Sequence, residues 1–166
     1  MHATLRQAAA ADAPRVAQLL IDTRAAFMPY APSAHRYDEL RAWAASLLIP
    51  SDGVVVAETQ GSVIAAMHTE CKEGLSWITQ MAVDPAFVGR GIGSLLLAHA
   101  VRTLGSPVRV YTFQANHGAR RFYERHGFIP IDFTDGRANA ERCPDVLYEL
   151  RANEHQRLNQ PEVQDV

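Results

Sequence analysis

The sequence predicts a single α/β domain, and three observations predict it. Two strand-like runs flank Gln60-Gly61, a two-residue hairpin signal. A further strand breaks at Asp84-Pro85 into a glycine-rich turn that feeds an apolar helix. A short apolar run, Val108 to Phe113, lies between two helical segments. At 166 residues the chain has the size of one compact domain, and 48% apolar with 20% charged residues is a globular balance. The net charge of -2 supplies no positive field for nucleic acid or an anionic membrane. No apolar run approaches the roughly 20 residues of a membrane span. Met1 to Ala11 lacks the basic-then-apolar form of a signal peptide. Cys71 and Cys143 are too few for a disulfide framework, so a reducing, cytoplasmic setting is expected.

Thr4 to Ala9 alternates weakly and reads as a first strand. Asp12 is placed to cap, and Pro14 to begin, a helix whose Val16, Leu19, Leu20, Thr23 and Phe27 form one stripe. Met28 to His35, with Pro29 and Pro32, is a loop. Leu40, Trp43, Ala44 and Leu47 mark a second helix from about Tyr37 to Leu48, closed by Pro50 and Asp52-Gly53. Val54 to Thr59, Val63 to Cys71 and, after Glu73-Gly74, Leu75 to Val83 make a three-strand meander. Leu95, Leu96, Ala98 and Val101 set the helix Ile92 to Leu104, which Gly105 stops. Val108 to Phe113 predicts a strand covered on both faces. Gly118 to His126 is a helix ended by Gly127. Phe128 to Phe133 and Asp145 to Leu150 are two closing strands around a polar excursion. Residues 1–150 are therefore expected to form the domain and 151–166 a polar tail.

The most informative stretch is Met81-Ala82-Val83-Asp84-Pro85 followed by Val88-Gly89-Arg90-Gly91-Ile92-Gly93-Ser94. A strand ends, the chain turns through alternate glycines and a helix starts at once. Such a turn aims backbone N–H groups at one point, at the positive end of a helix dipole. It reads as a phosphate cradle. The nucleotide P-loop is excluded because no lysine follows Gly93. The dinucleotide fingerprint is excluded because Leu96 stands where its third glycine belongs.

At these residues the sequence resembles the GCN5-related N-acetyltransferase (GNAT) superfamily, whose pyrophosphate loop reads Gln/Arg-x-x-Gly-x-Gly/Ala. Both glycines match, as Gly91 and Gly93, and Val88 departs at the first position. A second segment, Asn116-His117-Gly118-Ala119-Arg120-Arg121-Phe122-Tyr123-Glu124-Arg125-His126-Gly127-Phe128, is similar to the family's Asn-x-x-Ala-x-x-Phe-Tyr-x-x-x-Gly-Phe at every defined position. The resemblance spans about residues 3 to 150 in element order. It implies a mixed, mostly antiparallel sheet of six or seven strands flanked by about four helices, with strands four and five splayed to admit acetyl-CoA.

It also implies roles. The amides of Val88, Gly89, Arg90, Gly91, Ile92, Gly93 and Ser94 would hold the pyrophosphate. Met81, Ala82 and Val83 would pair with the pantetheine arm beside a bulge, and Asn116 would touch the arm from strand five. Tyr123 would be the general acid, since a phenol near pKa 10 keeps a proton to give a departing thiolate. The family's strand-four glutamate falls on Trp77, so no carboxylate base stands there. His68, Glu70 and Gln80 are near, and none is assigned. The acceptor pocket maps onto residues 27–35 and 134–145, with Phe27, Tyr30, Trp77 and Asp135 as candidate substrate contacts.

The function implied is an acetyl-CoA-dependent N-acyltransferase, one that transfers groups other than aminoacyl groups, acting on a small amine or a peptide amino group. The alternative is a non-catalytic acyl-CoA sensor of the same fold, which would bind but never turn over. A longer acyl donor is a third reading, decided by the room around Met81 and Phe113. No metal is expected, because neither cysteine nor histidine falls at ligand spacing. Homodimers are common in the family, though no segment here marks an interface.

Overall fold

The computed structural model describes residues 2–31 and 35–151. Pro32 and all but the first residue of the expected tail therefore lie outside the described residues. Seven strands form one sheet in the order β1-β2-β3-β4-β5-β7-β6. They are β1 (Thr4–Gln7), β2 (Val54–Thr59), β3 (Ser62–Lys72), β4 (Leu75–Val83), β5 (Val108–Phe113), β6 (Ile129–Phe133) and β7 (Asp145–Leu150). Four helices flank it: α1 (Ala13–Phe27), α2 (Tyr37–Trp43), α3 (Ile92–Leu104) and α4 (His117–Arg125). All neighbouring strands run antiparallel except β4 and β5. Among the described residues no helix is long and apolar enough to cross a membrane.

The meander forms where the turn residues require it. Thr59 pairs with Ser62 across Gln60 and Gly61, both at positive φ, the backbone of a tight two-residue hairpin. The sheet separates two cores. Ile64, Met67, Ile78, Val108, Val110, Val146 and Tyr148 pack against Ile92, Leu96, Ala100, Tyr123 and Phe128 of the α3–α4 side. Val54, Val56, Val63, Ala66 and Ala82 pack against Val16, Leu19, Ala44 and Leu48 of the α1–α2 side.

Four expectations change. Asp12 does not cap α1; its carboxylate accepts from the Ala9 N–H at 2.7 Å and from Arg6. The second helix passes into a π-helical turn over Ala44–Leu48. The extra residue in that turn advances the buried position, so Leu48 goes inside and Leu47 is 65% exposed. β5 is covered on one face only: Val108 and Val110 are buried while Tyr111 is exposed, because α1 packs chiefly over β3 and β4 and reaches β5 at its end, where Arg24 lies over Phe113. The first strand ends at Gln7, two residues before Ala9.

Candidate active-site cleft

β4 and β5 pair through only three positions, Ser76 with Val108, Trp77 with Arg109 and Ile78 with Val110. Beyond Ile78 they separate, and the edge of β4 from Thr79 to Val83 has no strand on its β5 side. The gap is a cavity of about 1010 Å3. That is the upper end of the size usual for a small-molecule site.

One end of the cleft is the glycine turn. The Asp84 carboxylate fixes the exit of β4 by accepting from the Ala86 N–H at 2.9 Å and from Arg15 at 2.6 Å. Those two donors hold its pKa below the usual carboxylate value. Gly89 and Gly91 follow at φ +80 and +83, a backbone that L side chains rarely adopt, and a Cβ at either would meet nothing. Leu95 N–H is bonded to Gly91 C=O. The amides before it are those a helix start leaves without an intrahelical acceptor. The third glycine serves packing: a Cβ on Gly93 would come within 3.2 Å of the Phe122 ring of α4.

α4 forms the opposite wall. Asn116 caps it, its Oδ1 accepting from Ala119 N–H at 3.0 Å. Gly127 ends it, with Phe128 N–H donating to Tyr123 C=O at 3.1 Å. The Tyr123 ring sits among Phe122, Phe128 and Tyr148. No described residue bonds its hydroxyl, which opens on the cleft. Burial pushes the phenol well above its ordinary pKa, so it stays protonated. At the end of the helix His126 donates from Nδ1 to Phe122 C=O at 2.7 Å. Nε2 is then the acceptor, and it takes the Ser94 hydroxyl at 3.0 Å. A carboxyl-terminal residue of α4 is thus tied to the first turn of α3.

The candidate ligand contacts divide by position. Met81, Val83, Val88, Gly89, Gly91, Gly93, Ser94, Asn116 and Tyr123 line the cleft. Ala82 and Ile92 turn into the cores, and the Arg90 guanidinium lies over the Phe87 ring at 5.4 Å. Val83 C=O already accepts the Thr23 hydroxyl at 3.1 Å.

Of the candidate substrate contacts, Phe27 lines the cleft. Tyr30 stands behind it, edge-on to Phe113 at 6.2 Å. Asp135 does not face the cleft; it pairs with Arg137 at the surface. Trp77 is also outside it. The register of β3 on β4 shifts between His68 and Thr69, where Thr79 is an extra residue in β4. Counting back from Val83 by an even number keeps a residue on the same face only without that insertion. With it, Trp77 lies on the opposite face, stacked on Tyr111 at 5.9 Å with Arg109 over its ring. There Arg109 and Arg151 hold Glu149, 2% exposed, at 2.7 and 2.5 Å. The two cations keep its carboxyl below the usual range, Arg151 having the larger effect.

The structure adds residues that the sequence reading left aside. Arg24 pairs with Glu141 at 2.8 Å, joining α1 to the β6–β7 loop across the cleft. A second cavity of about 430 Å3 adjoins the first at Gln80 and Met81, walled by Leu40, Trp43 and Glu39 of the α2 region. Arg125 of α4 and Thr79 line the main cleft. Arg125 was legible in principle, within the matched segment and one α-turn past Phe122; the other pairings join segments too distant in sequence to be seen in it.

Comparison with known proteins agrees with this architecture. A family model described as an acetyltransferase (GNAT) domain matches residues 50–130. Mycothiol acetyltransferase of Gordonia bronchialis is 29% identical over 82% of this chain and 54% of its own length. An uncharacterized N-acetyltransferase of Methanocaldococcus jannaschii is 30% identical over 51% of this chain and 42% of its own. The chain thus spans about half the length of the curated relatives it matches. Among solved structures, a PaiA N-acetyltransferase from Thermoplasma acidophilum in complex with coenzyme A superposes with a TM-score of 0.75. The match covers 92% of this chain and all of that one, at 16% identity, and is a likeness of fold.

Proposed function

The chain belongs to the GCN5-related N-acetyltransferase superfamily, and on that premise we propose that it moves an acetyl group from acetyl-CoA to a primary amine, with both substrates bound together. The observation that carries the reading is the cleft itself. It is a gap between two parallel strands, with a glycine cradle at one end and a protonated tyrosine hydroxyl opening on it.

The residues present fit acetyl-CoA. Gly89 and Gly91 leave open space over the amides at the start of α3, where a pyrophosphate would take several N–H bonds. The bare edge of β4 at Met81 and Val83 would pair with the amides of the pantetheine arm as an added strand would. Asn116 has spent its oxygen on the cap, and its NH2 group is left to donate. When bound, acetyl-CoA supplies an activated thioester acyl group. The Met81 amide would polarise the thioester carbonyl. Tyr123 would hold its proton at Oη until a thiolate needs it. The acceptor would enter through the second cavity, where Glu39 favours a cationic amine, Glu141 is already paired with Arg24, and Met28, Leu40 and Trp43 supply apolar surface.

Thermal unfolding with saturating acetyl-CoA, with plain CoA as control, tests the binding. A ligand at 100 times its dissociation constant adds about 2.7 kcal/mol. At roughly 2–4 °C per kcal/mol for a domain of this size, a rise in midpoint of several degrees is expected. No rise in a folded protein refutes the assignment. CoA release over an amine panel then separates an enzyme from a binding-only sensor.

A further inference from the structure

Behind the acceptor side of the cleft lies a chain of hydrogen bonds that the chemistry above does not use. His68 of β3 is 8% exposed. Ser51 donates its one hydroxyl proton to Leu48 C=O at 2.6 Å, so its oxygen accepts from His68 Nε2 at 2.8 Å. The network therefore assigns the ring proton to Nε2 and leaves Nδ1 as an acceptor. Nδ1 takes the Thr79 hydroxyl at 2.5 Å. Gly53 presses on the ring from behind, where a Cβ would lie 2.9 Å from Cδ2 and Nε2. Thr79 is the inserted residue of the β4 bulge, is exposed and lines the cleft beside Gln80 and Met81. Its hydroxyl joins the cleft to a buried imidazole.

We propose that Thr79 and His68 form the proton relay for the acceptor amine, with Thr79 Oγ1 contacting the reacting nitrogen and His68 acting through it. The inference rests on the acetyl-transfer reading above. A cationic amine first gives one proton to solvent and enters the step neutral. As its nitrogen forms the bond to the carbonyl carbon, one of its two remaining protons passes to Thr79 Oγ1 while the Thr79 proton passes to His68 Nδ1. The C–S bond then breaks and the thiolate takes the proton of Tyr123. His68 afterwards loses its extra proton to solvent and Tyr123 regains one, so protons balance over the cycle.

The groups facing the ring support that role. They are the Ser51 hydroxyl from the turn after α2, Thr79 and Gln80 from β4, and Glu70 from its own strand. Burial holds the His68 imidazolium below its ordinary value, against a smaller pull upward from Glu70, so the ring is neutral and accepting at pH 7. A weak base suffices. A nitrogen already bonded to the carbonyl carbon is far more acidic than a free ammonium ion.

The test combines imidazole nitrogen NMR on the protein alone with CoA-release kinetics on acetyl-CoA and four probes: spermidine, phenethylamine, lysine amide and an alanine-led peptide. The expected tautomer carries its proton on Nε2. Thr79→Val is expected to lower kcat about 10²-fold. It should abolish the acid limb of the pH–kcat profile and leave the acetyl-CoA thermal shift unchanged. Thr79→Ser should restore that limb. An Nδ1–H tautomer, or wild-type kinetics in Thr79→Val, overturns the relay alone. Failure of the wild-type protein to release CoA with every probe counts against the acetyl-transfer reading, and with it the relay that would serve it.

Discussion

Replacing Gly91 by alanine separates the two things the glycine turn does. At φ +83 an alanine is strained by about 1–2 kcal/mol, and since its Cβ would meet no atom, nothing else is lost in the unliganded protein. The unliganded midpoint should fall by roughly 2–8 °C. The same Cβ would project where the phosphate has to approach. If that weakens acetyl-CoA tenfold, a concentration of 100 wild-type dissociation constants becomes 10 for the variant, and the stabilisation falls from about 2.7 to about 1.4 kcal/mol. Gly74 in the β3–β4 turn is the control: it has φ +76 and equally open space, but lies away from the cleft. Gly74→Ala should show the same unliganded loss and a full ligand shift. Differential scanning fluorimetry over a titration of acetyl-CoA measures both quantities. If Gly91→Ala loses stability but keeps the wild-type ligand shift, the turn is only a turn and the cradle reasoning fails.

Two further outcomes follow from the same geometry. Tyr123→Phe removes a hydroxyl that no described residue bonds, so stability should change by less than about 0.5 kcal/mol. Its kcat should drop about 10²-fold with KM for acetyl-CoA unmoved, and steady-state kinetics beside a urea melt would show whether the two separate. Glu149→Gln removes a buried carboxylate held by Arg151 and Arg109 and should cost about 1–3 kcal/mol at pH 7. Because the folded pKa is depressed, that stabilisation is complete above the unfolded value near 4.5. It is lost as pH falls through the lower folded value. Urea unfolding of both proteins from pH 7 to 3 should show the difference narrowing only at the acid end.

Much of the fold was legible because local signals agreed with it. Glu73-Gly74 set the start of β4, Asp84-Pro85 its end, and Gly105 the end of α3, each a backbone requirement written in one or two residues. The glycine turn was legible for the same reason, whereas Tyr123 stood out only through the resemblance of its segment to the family motif; the structure sets both on the cleft. What escaped depends on insertion and on long-range pairing. The π-helical turn exchanged Leu47 for Leu48, and the bulge at Thr79 exchanged the faces of β4, which removed Trp77 from the cleft. Neither extra residue has a side-chain signature, so periodicity counted through it gives the wrong face. The Arg24–Glu141 bridge and the His68–Thr79 bond join segments that meet only after the sheet has formed.

The three-pair junction of β4 with β5 has a consequence for the protein's upkeep. It is the thinnest part of the sheet, and it borders the place where the proposed ligand lies. A strand-like guest would there supply the cross-links that the splayed ends lack, and mass action would make folding depend on how much guest is available. The stability of the chain would then rise and fall with the supply of coenzyme A and its thioesters.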